Sequence, residues 1–264
     1  MSEQSEEIPK TESKDVGIGL IIPCKKLEIF DSIKWLALAF DDFKRAPTIS
    51  LTYGVIFTVI PWFIYYLVDL TGWYMIIFPA MVCFMLIGPF LAAGLYDVSW
   101  QLEKKNKPSF RHSLKAMSRN AVNEWGFAFL LMVLMIFWLR SASLIHAFYP
   151  ENQAYTLLSL ATFLIVGSLV GAALTVFVFF ITAFTQPILM ERRVVLPTAV
   201  LTSMNAVWHN KGAMFFWASI ILLSVFIGFV TFFVAFLVIM PIIGYASWHG
   251  YIDTIDVKRK RTYE

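Results

Sequence analysis

Long apolar runs constrain this chain more than any other feature. A helix that crosses the hydrocarbon core of a membrane needs about 20 apolar residues, and charged residues make up only 15% of this chain, against roughly 25% in soluble domains. The long runs are Thr48–Val68, Trp73–Tyr96, Trp125–Phe148, Tyr155–Leu189 and Gly212–Trp248. The last run is too long for one span, and we divide it near Gly228–Val230. The sequence therefore predicts an all-α, polytopic membrane helix bundle with six transmembrane helices.

The distribution of positive charge predicts the orientation of these spans. Cytoplasmic loops of membrane proteins carry an excess of Lys and Arg. With the N-terminus inside, 20 of the 21 Lys and Arg residues fall on the cytoplasmic side, and only Arg140 falls toward the outside. The first fifteen residues are polar and mostly acidic, unlike a secretory signal peptide. We therefore expect a multi-pass protein whose N- and C-termini are both cytoplasmic.

Each odd-numbered span is preceded by a short amphipathic stretch. Its apolar residues recur at helical spacing, which is typical of a helix lying in the membrane interface with its apolar face on lipid. The three stripes are Phe30, Ile33, Leu36, Phe40 and Phe43; Phe110, Leu114, Met117 and Ala121; and Val200, Leu201, Met204, Val207 and Trp208. We expect Pro47, Asn123 and Gly212 to redirect the chain into the bilayer.

This pattern predicts three parallel repeats, each an interfacial amphipathic helix plus a transmembrane hairpin. The repeats cover about 30–105, 109–193 and 196–258, and such repeats are related by an axis along the membrane normal. The predicted transmembrane domain covers 29–252, and the third repeat extends a few residues beyond it. The predicted flanking segments are a disordered or extended cytoplasmic tail at 1–28 and a basic cytoplasmic tail at 253–264.

A proline lies toward the cytoplasmic end of the second span of every repeat: Pro89, Pro187 and Pro241. Proline frees a backbone carbonyl and kinks a helix. A kink that serves packing is favoured over a hinge or a ring of carbonyls lining a cavity. Small residues at four-residue spacing, Gly167 with Gly171 and Gly88 with Ala92, predict close helix packing inside the bundle, with an oligomer interface as the alternative.

Ionisable residues at membrane depth usually mark function. Asp97 lies at a span end, and we expect no acidic residue in the middle of a span, which argues against a proton-coupled transporter. Arg140 lies about 15 residues into its span, or ~22 Å at 1.5 Å per residue, so its side chain is expected to reach the outer headgroups; an anion or lipid-headgroup contact is the alternative. The four histidines, among them His249, fall in loops or at span ends and predict hydrogen bonding, not metal or haem ligation.

Several short motifs resemble one family, the bacterial integral-membrane proteins grouped as domain of unknown function 2189. They are Pro47, Ser50, Leu51, Tyr53 and Gly54; Gly88-Pro89-Phe90 with Gly94-Leu95-Tyr96; Ser203 to Asn210; and Pro241, Gly244, Ala246, Trp248, His249 and Tyr251. The resemblance covers roughly residues 30 to 252. It implies a bacterial inner membrane protein, and it implies no catalytic residues, because the family has no established activity.

The sequence favours a non-enzymatic accessory, scaffold or regulatory protein for another membrane component, since catalytic motifs and mid-membrane charge are lacking while cytoplasmic helices offer docking surface. A transporter or channel for a small or amphiphilic solute is the alternative. It would need a solvated cavity lined by polar side chains such as Thr175, Thr182, Thr185 and Gln186. An intramembrane enzyme would need Asp97, His249 or His209 to converge. We expect no cofactor, metal or nucleic acid; the expected partners are the lipid bilayer and another membrane protein, or a second copy of the chain.

Overall fold

The protein is all-α in this computed structural model, which describes residues 21–74, 77–117, 119–147, 157–192 and 194–255. The helices are α1 (Asp31–Arg45), α2 (Pro47–Thr71), α3 (Ile77–Glu103), α4 (Phe110–Ala116), α5 (Ala121–Ala147), α6 (Leu157–Thr182), α7 (Thr185–Glu191), α8 (Leu196–His209), α9 (Lys211–Val230) and α10 (Phe236–Thr254). The predicted tails lie largely outside the described residues, at 1–20 and 256–264.

Among the described residues, four helical segments are long and apolar enough to cross a membrane. They are Pro47–Thr71, Ala121–Ala147, Phe163–Glu191 and Lys211–Val230. The other two predicted spans are the helices α3 and α10, which have 27 and 19 residues. The second half of α10 carries polar and aromatic residues such as His249 and Asp253, which lower its hydropathy. The chain is thus a multi-pass membrane protein with about four candidate spans.

Short helices occur where the sequence predicts interfacial helices, but the chain turns earlier than predicted at two of the three junctions. Pro47 is the first residue of α2, since proline suits a first helical turn. Asn123 and Gly212, by contrast, lie inside the first turns of α5 and α9. The third turn is made by Asn210, whose side-chain amide bonds Ala206 O at 3.0 Å.

The turn between the fifth and sixth predicted spans lies close to the predicted position. The helix α9 ends at Val230 and α10 begins at Phe236. Two residues in this turn, Phe232 and Phe233, have φ angles of 50° and 65°, a left-handed conformation that is strained for bulky side chains. The Trp62 Nε1–H donates to Phe232 O at 2.9 Å and so ties this turn to α2.

Burial divides the molecule into two ends. The packed end comprises α1, α4, α7, α8 and the adjoining parts of α2, α3, α5 and α10, and it holds most of the buried side chains, including Trp35, Tyr53, Tyr245 and Trp248. The open end comprises the opposite parts of the long helices, where large apolar side chains such as Tyr66, Leu169 and Phe229 are at least 57% exposed. Only 6% of the most apolar 18-residue stretch of Phe163–Glu191 is buried. The hydrophobic core therefore lies at one end of the helices.

Candidate functional site: the buried polar layer

The C-terminal turns of α3 carry four polar residues at every second position: Asp97, Ser99, Gln101 and Glu103. Because successive residues on a helix are about 100° apart, these side chains point to several neighbouring helices. The first three are buried, although buried polar groups are costly unless they are hydrogen-bonded. Together with their partners on α1, α4 and α10 they form what we call the buried polar layer.

Asp97 is fully buried and is the centre of the first half of this layer. Its carboxylate accepts hydrogen bonds from Gln101 Nε2 at 2.7 Å and from His112 Nδ1 at 2.6 Å. Arg119 NH1 lies 3.5 Å from the second carboxylate oxygen, and Arg119 NH2 donates to His112 Nε2 at 2.9 Å. Because an arginine N–H can only donate, His112 accepts at Nε2 and donates at Nδ1 to Asp97. The interactions of Asp97 hold α4 and the following turn against α3.

The second half of the layer is centred on Asp42 of α1. One carboxylate oxygen accepts a short hydrogen bond from Ser99 Oγ and another from His249 Nε2 at 2.8 Å. Arg45 NH1 lies 3.9 Å from the other oxygen, and Glu103 Oε1 lies 3.9 Å from His249 Nδ1. These contacts join α1, α3 and α10 at one point.

Tyrosine hydroxyls connect further helices to the layer. Tyr53 of α2 bonds Ser113 of α4 at 2.8 Å, and Tyr245 of α10 bonds Ser50 of α2 at 2.7 Å. Elsewhere, the Tyr251 hydroxyl donates a short hydrogen bond to Glu191 and accepts one from Arg192 Nε at 2.8 Å. All three tyrosines are at most 1% exposed, so these bonds are shielded from solvent.

An extended segment, residues 21–30, runs along the packed end and closes it. Asn210 fastens this segment at two points: its Oδ1 accepts from Leu27 N at 2.8 Å and its Nδ2 donates to Lys25 O at 3.0 Å. Lys25 N also donates to Thr254 O at 2.7 Å, which ties the segment to the end of α10. The backbone of Cys24 pairs with that of Ile255 in a single β-bridge. Burial raises the pKa of the Cys24 thiol. The described part of the predicted N-terminal tail is therefore extended and attached.

Two of the sequence candidates, Asp97 and His249, lie in the buried polar layer, but in different halves of it. Asp97 contacts His112, and His249 contacts Asp42. His209 is exposed and bonds only the Asn205 carbonyl among the described contacts, at 2.9 Å. Asp97 and His249 thus have different histidine and aspartate partners, and His209 lies outside the layer. No cluster of three metal-binding side chains occurs among the described residues.

The other candidates lie outside the layer. Arg140 is exposed on α5 near the open end. Pro89, Pro187 and Pro241 are all buried among packed helices. Burial of all three favours the packing role over a ring of carbonyls facing a cavity.

The prediction that Gly88, Gly167 and Gly171 permit close packing within the bundle is wrong. A Cβ atom built on any of them would meet no described residue within 4 Å. Gly167 and Gly171 instead line an apolar cleft between α5 and α6, together with Trp138 and Phe163. The close approach occurs at Gly54, where an added Cβ would lie 1.9 Å from the Leu237 carbonyl oxygen.

Glu124 is the residue that sequence reasoning missed. It is one residue before the predicted third span, yet it lies inside α5 and is fully buried, and both of its carboxylate oxygens lack a hydrogen-bond partner in the described part of the chain. The side-chain amide of Gln186 in α7 is likewise buried without a partner there. An acidic residue next to Trp125, at the edge of an apolar run, was the available signal.

Residues 77–191, which include α3 to α7, match a family model described as "Predicted integral membrane protein (DUF2189)". Over these residues the match agrees with the resemblance that the sequence motifs predict. Comparisons with curated proteins and with solved structures gave no match.

Proposed function

We propose that this integral membrane protein is a non-enzymatic accessory, scaffold or regulatory protein, which binds another membrane component beside its open end. We further propose that it resides in a bacterial inner membrane, with six spans and with both termini in the cytoplasm. The packed end then faces the cytoplasm and the open end lies in the outer part of the bilayer.

The proposed topology rests on charge and on helix order. The described cations flanking the packed end include Lys44, Lys104 and Lys211, and each lies over an aromatic ring, 3.5–5.4 Å from its centroid. Such cationic and aromatic side chains suit the cytoplasmic membrane interface. The order of a short helix followed by two long helical segments occurs three times along the chain, which supports three parallel repeats with α3 and α10 as the remaining spans.

The contrast in burial carries the functional proposal. The packed end is joined by directional hydrogen bonds between buried groups, whereas the open end exposes a broad apolar surface from several helices. In Lys211–Val230, for example, Leu222 and Phe226 are 70% and 61% exposed. Lipid tails satisfy such a surface, and so do the apolar helices of another membrane protein, for which van der Waals packing supplies the attraction. A rigid base with splayed apolar helices suits a protein that binds laterally to a partner.

Native gel electrophoresis with mass spectrometry of each slice tests this proposal. The tagged chain is expressed at its native level and solubilised mildly, and we expect reproducible co-migration with a larger membrane complex. Replacing Leu222 and Phe226 together by Ala should abolish co-migration without unfolding the chain, since both are exposed. The matched control replaces Trp208, which is 60% exposed at the packed end, by Ala. Migration of the wild-type chain alone, as a monomer or homo-oligomer, would contradict a stable partner.

One observation favours a second candidate function, a transporter or channel. Glu124 and Gln186 are buried polar residues near the break between α6 and α7, and broken helices form solute sites in many transporters. Of the polar residues expected to line a pathway, Thr175 is exposed and bonds its own helix at Gly171 O. Flux into liposomes containing the purified chain, compared between wild type and Glu124→Gln, measures this activity directly.

A further inference from the structure

We propose that Glu124, with the amide of Gln186, is a proton-binding site inside the membrane domain, where the glutamate is held as a neutral carboxylic acid. The inference goes beyond the partner-binding role and stands independently of it. It rests on the burial of both residues, on their register and on the contacts made by neighbouring charged groups.

Both side chains are buried with their polar atoms unsatisfied. Glu124 is 0% and Gln186 is 4% exposed. Neither carboxylate oxygen of Glu124, and neither polar atom of the Gln186 amide, has a hydrogen-bond partner among the described residues. Buried polar side chains in proteins are nearly always hydrogen-bonded, so two such groups in contacting helices are a notable exception. The contacts between α5 and α7 connect the two helices that carry them.

The register of the antiparallel segments places these residues at one level. His146 of α5 contacts Phe163 of α6, and Asn120, just before α5, donates to Leu189 O of α7 at 3.1 Å. The two contacts are separated by the same number of residues on both segments. A residue one position later in α5 therefore lies level with the residue one position earlier in α6 and α7. The residue level with Glu124 is therefore the one immediately before Gln186.

The direction of the Glu124 side chain follows from its neighbours on α5. Asn120 points to α7, and Trp125 points to α3, where its ring lies 4.9 Å from that of Phe90. At 100° per residue, Glu124 lies between these two directions. Its carboxyl group thus faces the space between α7 and α3.

The charged groups on the surrounding elements are engaged elsewhere. On α3, Asp97 is bound by His112 and Arg119. On α7, Glu191 accepts the Tyr251 hydrogen bond and lies 3.9 Å from Arg192. On α8, His209 bonds a backbone carbonyl of its own helix, and α6 has no ionisable residue. Of the described cations near these elements, Arg119 pairs with Asp97 and Arg192 with Glu191 and Tyr251, and neither forms an ion pair with Glu124.

Protonation of Glu124 removes its buried negative charge without requiring a cation. An ionised carboxylate without a partner is strongly disfavoured in a low-dielectric interior, and such a group is neutralised instead. A protonated carboxyl group offers one O–H donor and one carbonyl acceptor. The Gln186 amide is not hydrogen-bonded to Glu124 in the structure, but it offers the complementary acceptor and donor, so we propose that the protonated side chain of Glu124 rotates to pair with it.

Infrared spectroscopy of the full chain in lipid nanodiscs tests this site. The chain is prepared with glutamate labelled with ¹³C at the side-chain carboxyl, so that its signals are separated from those of aspartate. At neutral pH we expect a protonated carboxylic acid band that shifts with the label, is lost in Glu124→Gln and persists in Glu103→Gln. Absence of the band from the wild type would overturn the proposal, as would a carboxylate signal at Glu124 that depends on added Na⁺.

Two further variants separate the site from a structural role. Gln186→Leu should move the acid band to higher frequency, because the carbonyl loses its donor; an unchanged band would refute the pairing. Glu124→Gln should unfold at the wild-type temperature, since it replaces one neutral group by another, whereas Glu191→Gln should unfold at a lower temperature. Strong destabilisation by Glu124→Gln would show that Glu124 is ionised and paired, and would overturn the proposal even without a spectrum.

Discussion

The close approach of α2 to α10 at Gly54 gives the sharpest test of the packed end. A Cβ at residue 54 would lie 1.9 Å from the Leu237 carbonyl oxygen and 2.9 Å from its Cα. Carbon and oxygen atoms of neighbouring helices ordinarily stay about 3.3–3.6 Å apart, so Gly54→Ala must force the two backbones apart by more than an ångström. Overpacking of this kind costs about 1–3 kcal/mol. Separation would also weaken the Ser50–Tyr245 hydrogen bond, worth about 1 kcal/mol, giving a total of about 2–4 kcal/mol.

Two other glycines complete a graded series. At Gly244 an added Cβ meets the flexible Leu95 side chain, 2.7 Å from its Cδ1, and at Gly171 it meets nothing within 4 Å. We therefore expect Gly54→Ala to destabilise most, Gly244→Ala less, and Gly171→Ala to change stability by no more than about 1 kcal/mol. Unfolding in mixed micelles titrated with sodium dodecyl sulfate measures the three free energies. Equal effects at Gly54 and Gly171 would refute the helix contact.

Three further predictions concern the polar contacts. Asp97→Ala should cost about 3–5 kcal/mol of unfolding free energy, because it leaves the largely buried Arg119 without its carboxylate; a melting temperature equal to wild type would contradict this. Asn210→Ala should speed proteolysis of the 21–30 segment while the helical circular dichroism is unchanged, and an unchanged rate would show that Asn210 does not hold the segment. The Lys34 ammonium donates a hydrogen bond to Asp31 and so holds the pKa of this carboxyl group below its ordinary value. Ionised Asp31 therefore stabilises the fold at pH values above its unfolded pKa. This contribution is lost as the pH falls through the lower pKa of the folded state. Asp31→Asn should therefore lower the melting temperature at neutral pH, and this effect should fade progressively as the pH falls below about 4; a constant difference would refute the assignment.

Local patterns predict most helical segments of this chain, but not the break between α6 and α7. The stripe that includes Ile33 and Phe40 predicts a short helix with an exposed apolar face, and both side chains are exposed on α1. The turn near Gly228–Val230 follows from length alone, since a run of that size exceeds one bilayer crossing. These features depend on residues close together in the sequence, which is why the sequence contains them.

Contacts between distant residues could not be predicted in the same way. Asp42 and His249 are 207 positions apart, and nothing near either residue indicates the other. The spacing of small residues was misleading for a related reason. Gly167 and Gly171 would permit another helix to approach closely, but whether a helix packs there depends on residues distant in the sequence. Glu124 was missed because its position relative to the membrane depends on where α5 begins, and α5 begins at Ala121, two residues before the turn predicted at Asn123.

The helix α3 determines how the proposed repeats are held together. Its Asp97 binds residues of the second repeat, and its Ser99 bonds the Asp42 carboxylate that His249 of the third repeat also bonds. Hydrogen bonds between buried groups are directional, so they fix the rotation and register of α3, whereas apolar contacts alone would let helices slide. The open end has fewer such contacts among the described residues, and Trp62 to Phe232 O is one of them. A change in the tilt of the hairpins would therefore pivot at the packed end and be largest at the open end, where we propose that a partner binds.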